Sequence, residues 1–166
     1  MSVDLTNAED FTPLHLSTLT GNLEATKALC ERGAPLNNAD KDGENPLHLA
    51  ARCGKIEVFR YLIEIGADIN IPDNSNTVLH HAAIMDSVEI IKILPHKGMS
   101  VELTNVTDSM PLHFSAYYGN LEATKALVER GAPLTMLIKM VKLQCIWLLT
   151  MAKRRHLLPH RNRRLY

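Results

Sequence analysis

The sequence predicts an all-α solenoid of stacked helix-turn-helix units with β-turn fingers. Two observations predict this fold class. A short segment recurs at intervals of 33, 32 and 33 residues, beginning at Thr12, Asn45, Thr77 and Met110. A glycine closes each copy at a fixed distance, at Gly33, Gly66, Gly98 and Gly131. A fixed period of this length is the signature of repeat architectures, in which neighbouring units stack to bury a shared core.

The second copy shows what each unit contains, and it reads NPLHLAARCGKIEVFRYLIEIGADI from Asn45 to Ile69. Pro46 suits the first turn of a helix, where a missing N–H costs nothing. Gly54 breaks the first apolar segment, and apolar residues then recur at helical spacing. Gly66 follows where a C-terminal cap residue takes positive φ. Two helices this short cannot offset the entropy of ordering the chain, so the copies must stack.

The period and the T-P-L-H segment resemble the ankyrin repeat. The resemblance covers about residues 3–135 and predicts a domain over residues 1–135 with four repeats, at about residues 7–39, 40–71, 72–103 and 104–135. Thr12 is the expected N-cap of the first helix. The resemblance also implies a structural role for the recurring histidine, which would donate a hydrogen bond to backbone of the adjoining connection in each repeat: His15, His48, His80 and His113.

The third repeat departs most from the pattern. Its finger is one residue short, and Ser75 stands where Gly43 stands in the second repeat. Asp86 replaces the glycine between the two helices. Pro95 falls inside the second helix, where it removes a hydrogen bond, so we expect this helix to be kinked or to end early near Leu94. His81 occupies the position of a leucine and is expected to be half-buried.

The charge is distributed unevenly. Residues 136–166 hold eight Lys and Arg and no acid, which leaves ten basic and eighteen acidic residues, a net charge of −8, in residues 1–135. The first part of this extension is apolar and the last part basic, and it is expected to be either a capping helix or disordered. Its longest charge-free run, residues 143–152, is about half of what a membrane span requires. Residues 153–166 are expected to be solvated, with nucleic acid or an anionic membrane surface as a weak alternative contact.

No arrangement of residues predicts catalysis. Three cysteines at unpaired spacing fit neither a disulfide framework nor a C-x-x-C metal site. Nucleophile elbows and phosphate-binding glycine loops are missing from the sequence. The repeated histidines would lie about 10 Å apart in stacked helices, whereas zinc ligands lie about 2 Å from one ion. We therefore expect no catalytic residue, no metal, no cofactor and no small-molecule substrate.

The resemblance implies instead a module that binds another protein on the concave face of the fingers and first helices. Mapping the repeats onto that face gives a candidate set for partner binding: Phe11, Leu19, Lys41, Asp42, Glu44, Arg52, Asp73, Asn74, Asn76, Met85, Val106, Ser109, Tyr117 and Tyr118. The alternative is a regulatory fragment of a larger ankyrin-containing enzyme or channel. The acidic N-terminus lacks a secretory signal, so the cytoplasm or the nucleus is the expected location.

Overall fold

Residues 5–134 are described by the structure, a computed structural model. They form eight helices and no strand: α1 Pro13–Thr20, α2 Leu23–Cys30, α3 Pro46–Arg52, α4 Ile56–Glu64, α5 Val78–Ile84, α6 Val88–His96, α7 Pro111–Tyr118 and α8 Leu121–Glu129. Each predicted repeat holds two of these helices. The chain divides after Ala132, and α1 to α8 all belong to the unit that ends there.

The helices are arranged in two rows. The first helices α1, α3, α5 and α7 pack side by side, and each also packs against the second helix of its own repeat. Small side chains let the first helices approach closely, and Ala50, Ala51, Ala82 and Ala83 are fully buried. The second helices α2, α4, α6 and α8 form the outer row. The predicted all-α solenoid of stacked hairpins is confirmed.

The repeated segment supplies both the cap and the core of each first helix. Thr12 accepts a hydrogen bond from the His15 backbone N–H and is the predicted N-cap of α1. The leucine two residues after each cap is at most 1% exposed, at Leu14, Leu47, Leu79 and Leu112. Burying one such side chain contributes about 1.5–3 kcal/mol. In all four repeats the N-cap backbone N–H also donates to the histidine Nδ1. Because this bond and the buried leucine recur together, each hairpin contributes one equivalent slice of a continuous core.

Helix α6 differs from its prediction. It runs from Val88 to His96, nine residues as in α4, so the end expected near Leu94 is wrong. Pro95 lies in the last turn, where it removes one hydrogen bond rather than breaking a helix interior. The Leu94 carbonyl still accepts from the Lys97 and Met99 N–H groups and closes the helix. The bend expected at Pro95 stays a prediction.

No helix within residues 5–134 combines the length and apolar character needed to cross a membrane. The predicted extension at residues 136–166, with its alternatives of a capping helix or disorder, lies outside the described residues. The basic segment 153–166, and the contacts suggested for it, lies outside them as well.

Candidate functional site

Four fingers project from the repeats: finger 1 (residues 7–11), finger 2 (40–44), finger 3 (73–76) and finger 4 (105–109). Each finger begins with Asn or Asp, whose Oδ1 accepts two backbone N–H groups of the same finger: Asn7, Asp40, Asp73 and Asn105. Side chains of this kind fold the backbone into a turn by bonding residues just ahead of them. This turn-forming role was not predicted for any of the four from the sequence, although their spacing matches the repeat.

Finger 3 closes differently from the others. In fingers 1, 2 and 4 the first N–H donates to the carbonyl four residues later, at 3.1, 3.0 and 2.9 Å. Each of those fingers contains a left-handed residue, Asp10, Gly43 or Asp108, with φ of 61°, 78° and 54°. In finger 3 the Asp73 N–H donates at 2.9 Å to Asn76, only three residues later. The missing residue therefore shortens the turn itself.

Backbone hydrogen bonds join the finger tips in a row. Lys41 N–H donates to the Glu9 carbonyl at 3.4 Å, Asn74 N–H to Asp42 at 3.2 Å, and Val106 N–H to Ser75 at 3.3 Å. Each bond links one finger to the next. The fingers thus present their side chains from connected positions rather than from independent loops.

Two of the recurring histidines join neighbouring repeats through hydrogen bonds. The Nδ1 atoms of His15 and His80 accept from the N-cap backbone N–H groups at 3.1 and 3.2 Å. The ring proton is therefore on Nε2, which donates to the Glu44 carbonyl at 3.1 Å and the Ser109 carbonyl at 2.8 Å. Each bond ties a first helix to the next repeat's finger. The next connection after His113 lies outside the described residues.

His48 is the exception. Its Nδ1 accepts from the Asn45 N–H at 3.3 Å, but its buried Nε2 makes no hydrogen bond of normal length and angle within the described residues. A backbone interaction with Ile71 contributes to the His48 pKa, in the raising direction, without supplying such a bond. The equivalent acceptor would be the Asn76 carbonyl, which closes the shortened finger 3. Burial, and then the nearby His81, lower the pKa of His48 to about 4. The ring is consequently neutral in the folded chain.

A charged cluster fills the joint between fingers 2 and 3. Arg52 donates from Nε and Nη2 to the two oxygens of the buried Glu44 at 2.8 and 2.7 Å. His81 Nε2 donates to Asp73 Oδ2 at 2.6 Å, while Oδ1 accepts the finger 3 N–H groups. Burial raises the pKa of Asp73, but hydrogen bonds from Asn76, His81 and Ser75 outweigh it and the net shift is downward. Asp73 is therefore ionised at neutral pH.

The cluster also has a metal-like composition, since one potential ligand atom from each of Glu44, Asp73 and His81 lies within 4.8 Å of the others. Arg52 already occupies both carboxylate oxygens of Glu44, and His81 already donates to Asp73. A metal would have to displace both interactions, so the residues fit a self-satisfied charge network better than a metal centre. His81 is 7% exposed rather than half-buried as expected. The cluster was not predicted; an ionisable side chain at a leucine position is the sequence signal that could have indicated it.

A pocket of about 360 Å³ opens over this cluster, between fingers 2 and 3. Its lining includes six of the predicted partner-binding residues together with Ser75: Asp42, Glu44, Arg52, Asp73, Asn74, Ser75 and Asn76. The structure thus brings nearly half of the candidate set to one place.

The candidate residues differ in their exposure. Lys41, Asp42, Arg52, Asn74, Met85, Val106, Tyr117 and Tyr118 are exposed. Phe11, Leu19, Asn76 and Ser109 are half-buried. The side chains of Glu44 and Asp73 are only 8% and 6% exposed, so they face the cluster and not the surface expected for them. For Asp73 the reason is register: it occupies the turn-forming position of Asp40, not the tip position of Lys41.

An apolar surface lies at the end of the first-helix row. Tyr117 and Tyr118 on α7 are 61% and 56% exposed, and their rings meet edge to face with centroids 5.1 Å apart. Met85, just after α5, is 50% exposed. Large side chains of this kind are enriched at the energetic centres of protein interfaces. The face therefore combines an acidic pocket at its middle with aromatic side chains near its end.

Comparison with known proteins agrees with this architecture. A family described as "Ankyrin repeats (3 copies)" matches residues 1–73 and again residues 72–137. A putative E3 ubiquitin-protein ligase, XBAT31 of Arabidopsis thaliana, is 31% identical over 75 residues, which is 45% of this chain and 16% of that protein. This chain therefore matches about a sixth of that protein's length. The chain belongs to the ankyrin repeat family.

Proposed function

We propose that the chain is a non-catalytic interaction module that binds another protein on its finger and first-helix face. Ankyrin repeats generally mediate protein–protein interaction, which supports this class of function. The observation that carries the choice of face is the exposed Tyr117–Tyr118 pair on a first helix. Aromatic side chains held on a packed helix lose little conformational freedom on binding and bury large apolar areas.

Electrostatics favours a basic partner segment. Residues 1–135 carry a net charge of −8, and acidic side chains line the pocket between fingers 2 and 3. Complementary charge raises the rate of encounter and selects against wrong partners more than it adds affinity. In this proposal the tyrosines supply the binding energy, and the acidic middle of the face orients the partner.

The proposal is tested by substituting the tyrosines in the full chain. Binders captured by cross-linking to the wild-type chain are purified, and their affinities are measured for Tyr117→Ala and Tyr118→Ala separately and together. We expect each substitution to weaken binding by more than about 1 kcal/mol, roughly fivefold. Both side chains are exposed, so helicity and unfolding midpoint should not change.

Leu121→Ala is the matched control, because Leu121 is 61% exposed but lies on the second helix α8. It should leave the affinity unchanged. Equal affinity for the wild type and the double tyrosine variant, with helicity intact, would refute the proposed face. Arg52→Ala would not separate an effect on binding from an effect on stability, because removing Arg52 leaves the buried Glu44 carboxylate without its ion pair.

A second candidate is a partner-recruiting segment of a longer enzyme. The similarity to part of a putative ubiquitin ligase is the observation that favours it. The same face would then bind a protein for a catalytic part elsewhere. Identifying the longest transcript that encodes these repeats separates the two candidates: an added catalytic domain supports the second, and a transcript ending after residue 166 supports the first.

A further inference from the structure

We propose that the pocket between fingers 2 and 3 binds one arginine side chain of the partner. This inference rests on the proposed function, because it names the group that the acidic middle of the face receives. The pocket volume of about 360 Å³ lies at the small end of the range known for ligand sites. Such a volume accommodates a single long side chain.

The charge balance of the pocket favours a cation. Glu44 and Arg52 neutralise each other through two hydrogen bonds. Asp73 adds a negative charge, and Asp42 adds another at the exposed rim. No cation pairs with Asp42 among residues 5–134, and the adjacent Lys41 is turned towards Glu9 on finger 1, at 3.7 Å. With three acids and one base, the lining carries a net charge of −2.

The acceptors that remain available sit on both sides of the pocket. The oxygens of Glu44 and Asp73 are already used, whereas no hydrogen bond reaches the Asp42 carboxylate from the described part of the chain. Asn74 donates its amide N–H to the Lys41 carbonyl at 3.3 Å, which leaves its Oδ1 as an acceptor. A planar guanidinium with five donors can bond two separated acceptors at once, which an ammonium does less well.

Gly43 makes this rim possible. A Cβ at residue 43 would lie 2.6 Å from Asn74 Oδ1 and 2.8 Å from the Asn74 backbone nitrogen. Any larger residue would displace Asn74 from finger 2. The equivalents of Arg52 in the first and third repeats are Leu19 and Ile84, so an ion pair of this kind occurs at the middle joint and not at its neighbours.

The test is an NMR titration of the labelled full chain with Nα-acetyl-arginine amide. Saturable shifts are expected at the backbone amides of Asn74, Ser75 and Asn76. Nα-acetyl-citrulline amide has nearly the same shape without the charge and should produce much smaller shifts. Equal shifts with both compounds, or no shifts at these amides with the arginine compound, would overturn the inference.

Substitution adds a second criterion. Asp42→Asn preserves size and removes one rim charge, so it should weaken arginine binding by about two- to fivefold, as expected for an exposed ion pair. Glu102→Gln removes the same charge from an exposed position outside the pocket and should leave the affinity unchanged. Equal weakening by both variants would show a bulk charge effect and contradict a site. The titration needs no partner protein, so a negative result would not change the outcome of the tyrosine test of the proposed function.

Discussion

At the scale of single residues, His48, next to the shortened finger 3, departs from the hydrogen-bond pattern of its equivalents in the other repeats. His15 and His80 each donate to a carbonyl of the next finger, but His48 Nε2, next to the shortened finger 3, makes no hydrogen bond of normal geometry among the described residues. A buried donor left unsatisfied costs about 1–3 kcal/mol. The joint between repeats two and three is thus the one where the usual brace is replaced by the Glu44–Arg52 and His81–Asp73 pairs.

The pKa of His48 gives this joint a pH dependence. In the folded chain the pKa is about 4, against an ordinary value of 6.5 in the unfolded chain. Between these values the unfolded chain binds more protons, so stability is full above 6.5 and falls as the pH drops towards 4. We expect His48→Gln to reduce the loss of unfolding free energy across this window by up to about 3 kcal/mol.

The measurement is urea unfolding of the wild type and His48→Gln at several pH values within that window. Burial also lowers the pKa values of His15, His80 and His113, so the variant should keep a weaker slope of the same sign. The lowered pKa of Asp73 acts mainly below its ordinary value of 3.8, reaches only the acid end of the window, and is the same in both proteins. Identical slopes in both proteins would contradict the assignment.

At the scale of elements, Asp86 explains a departure from the repeat pattern. It replaces the glycine between the helices, adopts φ of 54°, and its Oδ1 accepts from the Ala123 N–H at 2.8 Å. The side chain therefore caps the first turn of α8 in the next repeat. Asn120 completes the joint by donating to the Ala83 and Ile84 carbonyls at 2.8 and 2.7 Å. Asp86, which departs from the repeat pattern, therefore connects two repeats.

Substitutions at Asp86 separate its two contributions. Asp86→Ala removes the hydrogen bond to the Ala123 N–H. It also leaves, in the left-handed region, a residue whose side chain cannot form a hydrogen bond. The substitution should therefore destabilise the chain by about 1.5–3 kcal/mol. Asp86→Asn keeps an acceptor oxygen and tolerates this conformation, and it should cost less than about 0.5 kcal/mol. Chemical denaturation measures both. An alanine variant as stable as the asparagine variant would show that the cap contributes nothing.

Local signals account for what the sequence could predict at this scale. The N-cap and the leucine two residues after it belong to one short segment, and Thr12 caps α1 as predicted. The register of finger 3 could not be predicted, because either Asp73 or Asn74 could begin the turn. The burial of Glu44 depends on Arg52, eight residues away across a turn and a helix.

At the scale of the whole molecule, some positions of each repeat form the scaffold and others form the variable surface. Equivalent caps and leucines hold the rows together, while the finger and first-helix positions differ from repeat to repeat. The row of tip-to-tip hydrogen bonds connects these variable positions. The family could be predicted from the period and the T-P-L-H segment, whereas the pocket required the structure, since its residues come from two fingers and one helix.

In the proposed function, the partner binds the finger and first-helix face and not the outer row of helices. Hydrogen exchange of the full chain, measured with and without a captured partner, decides between the two surfaces. We expect slower exchange on binding in fingers 2 and 3 and in α7, with α4 and α8 unchanged. Protection confined to α4, α6 and α8, or to residues 136–166, would contradict the proposed face.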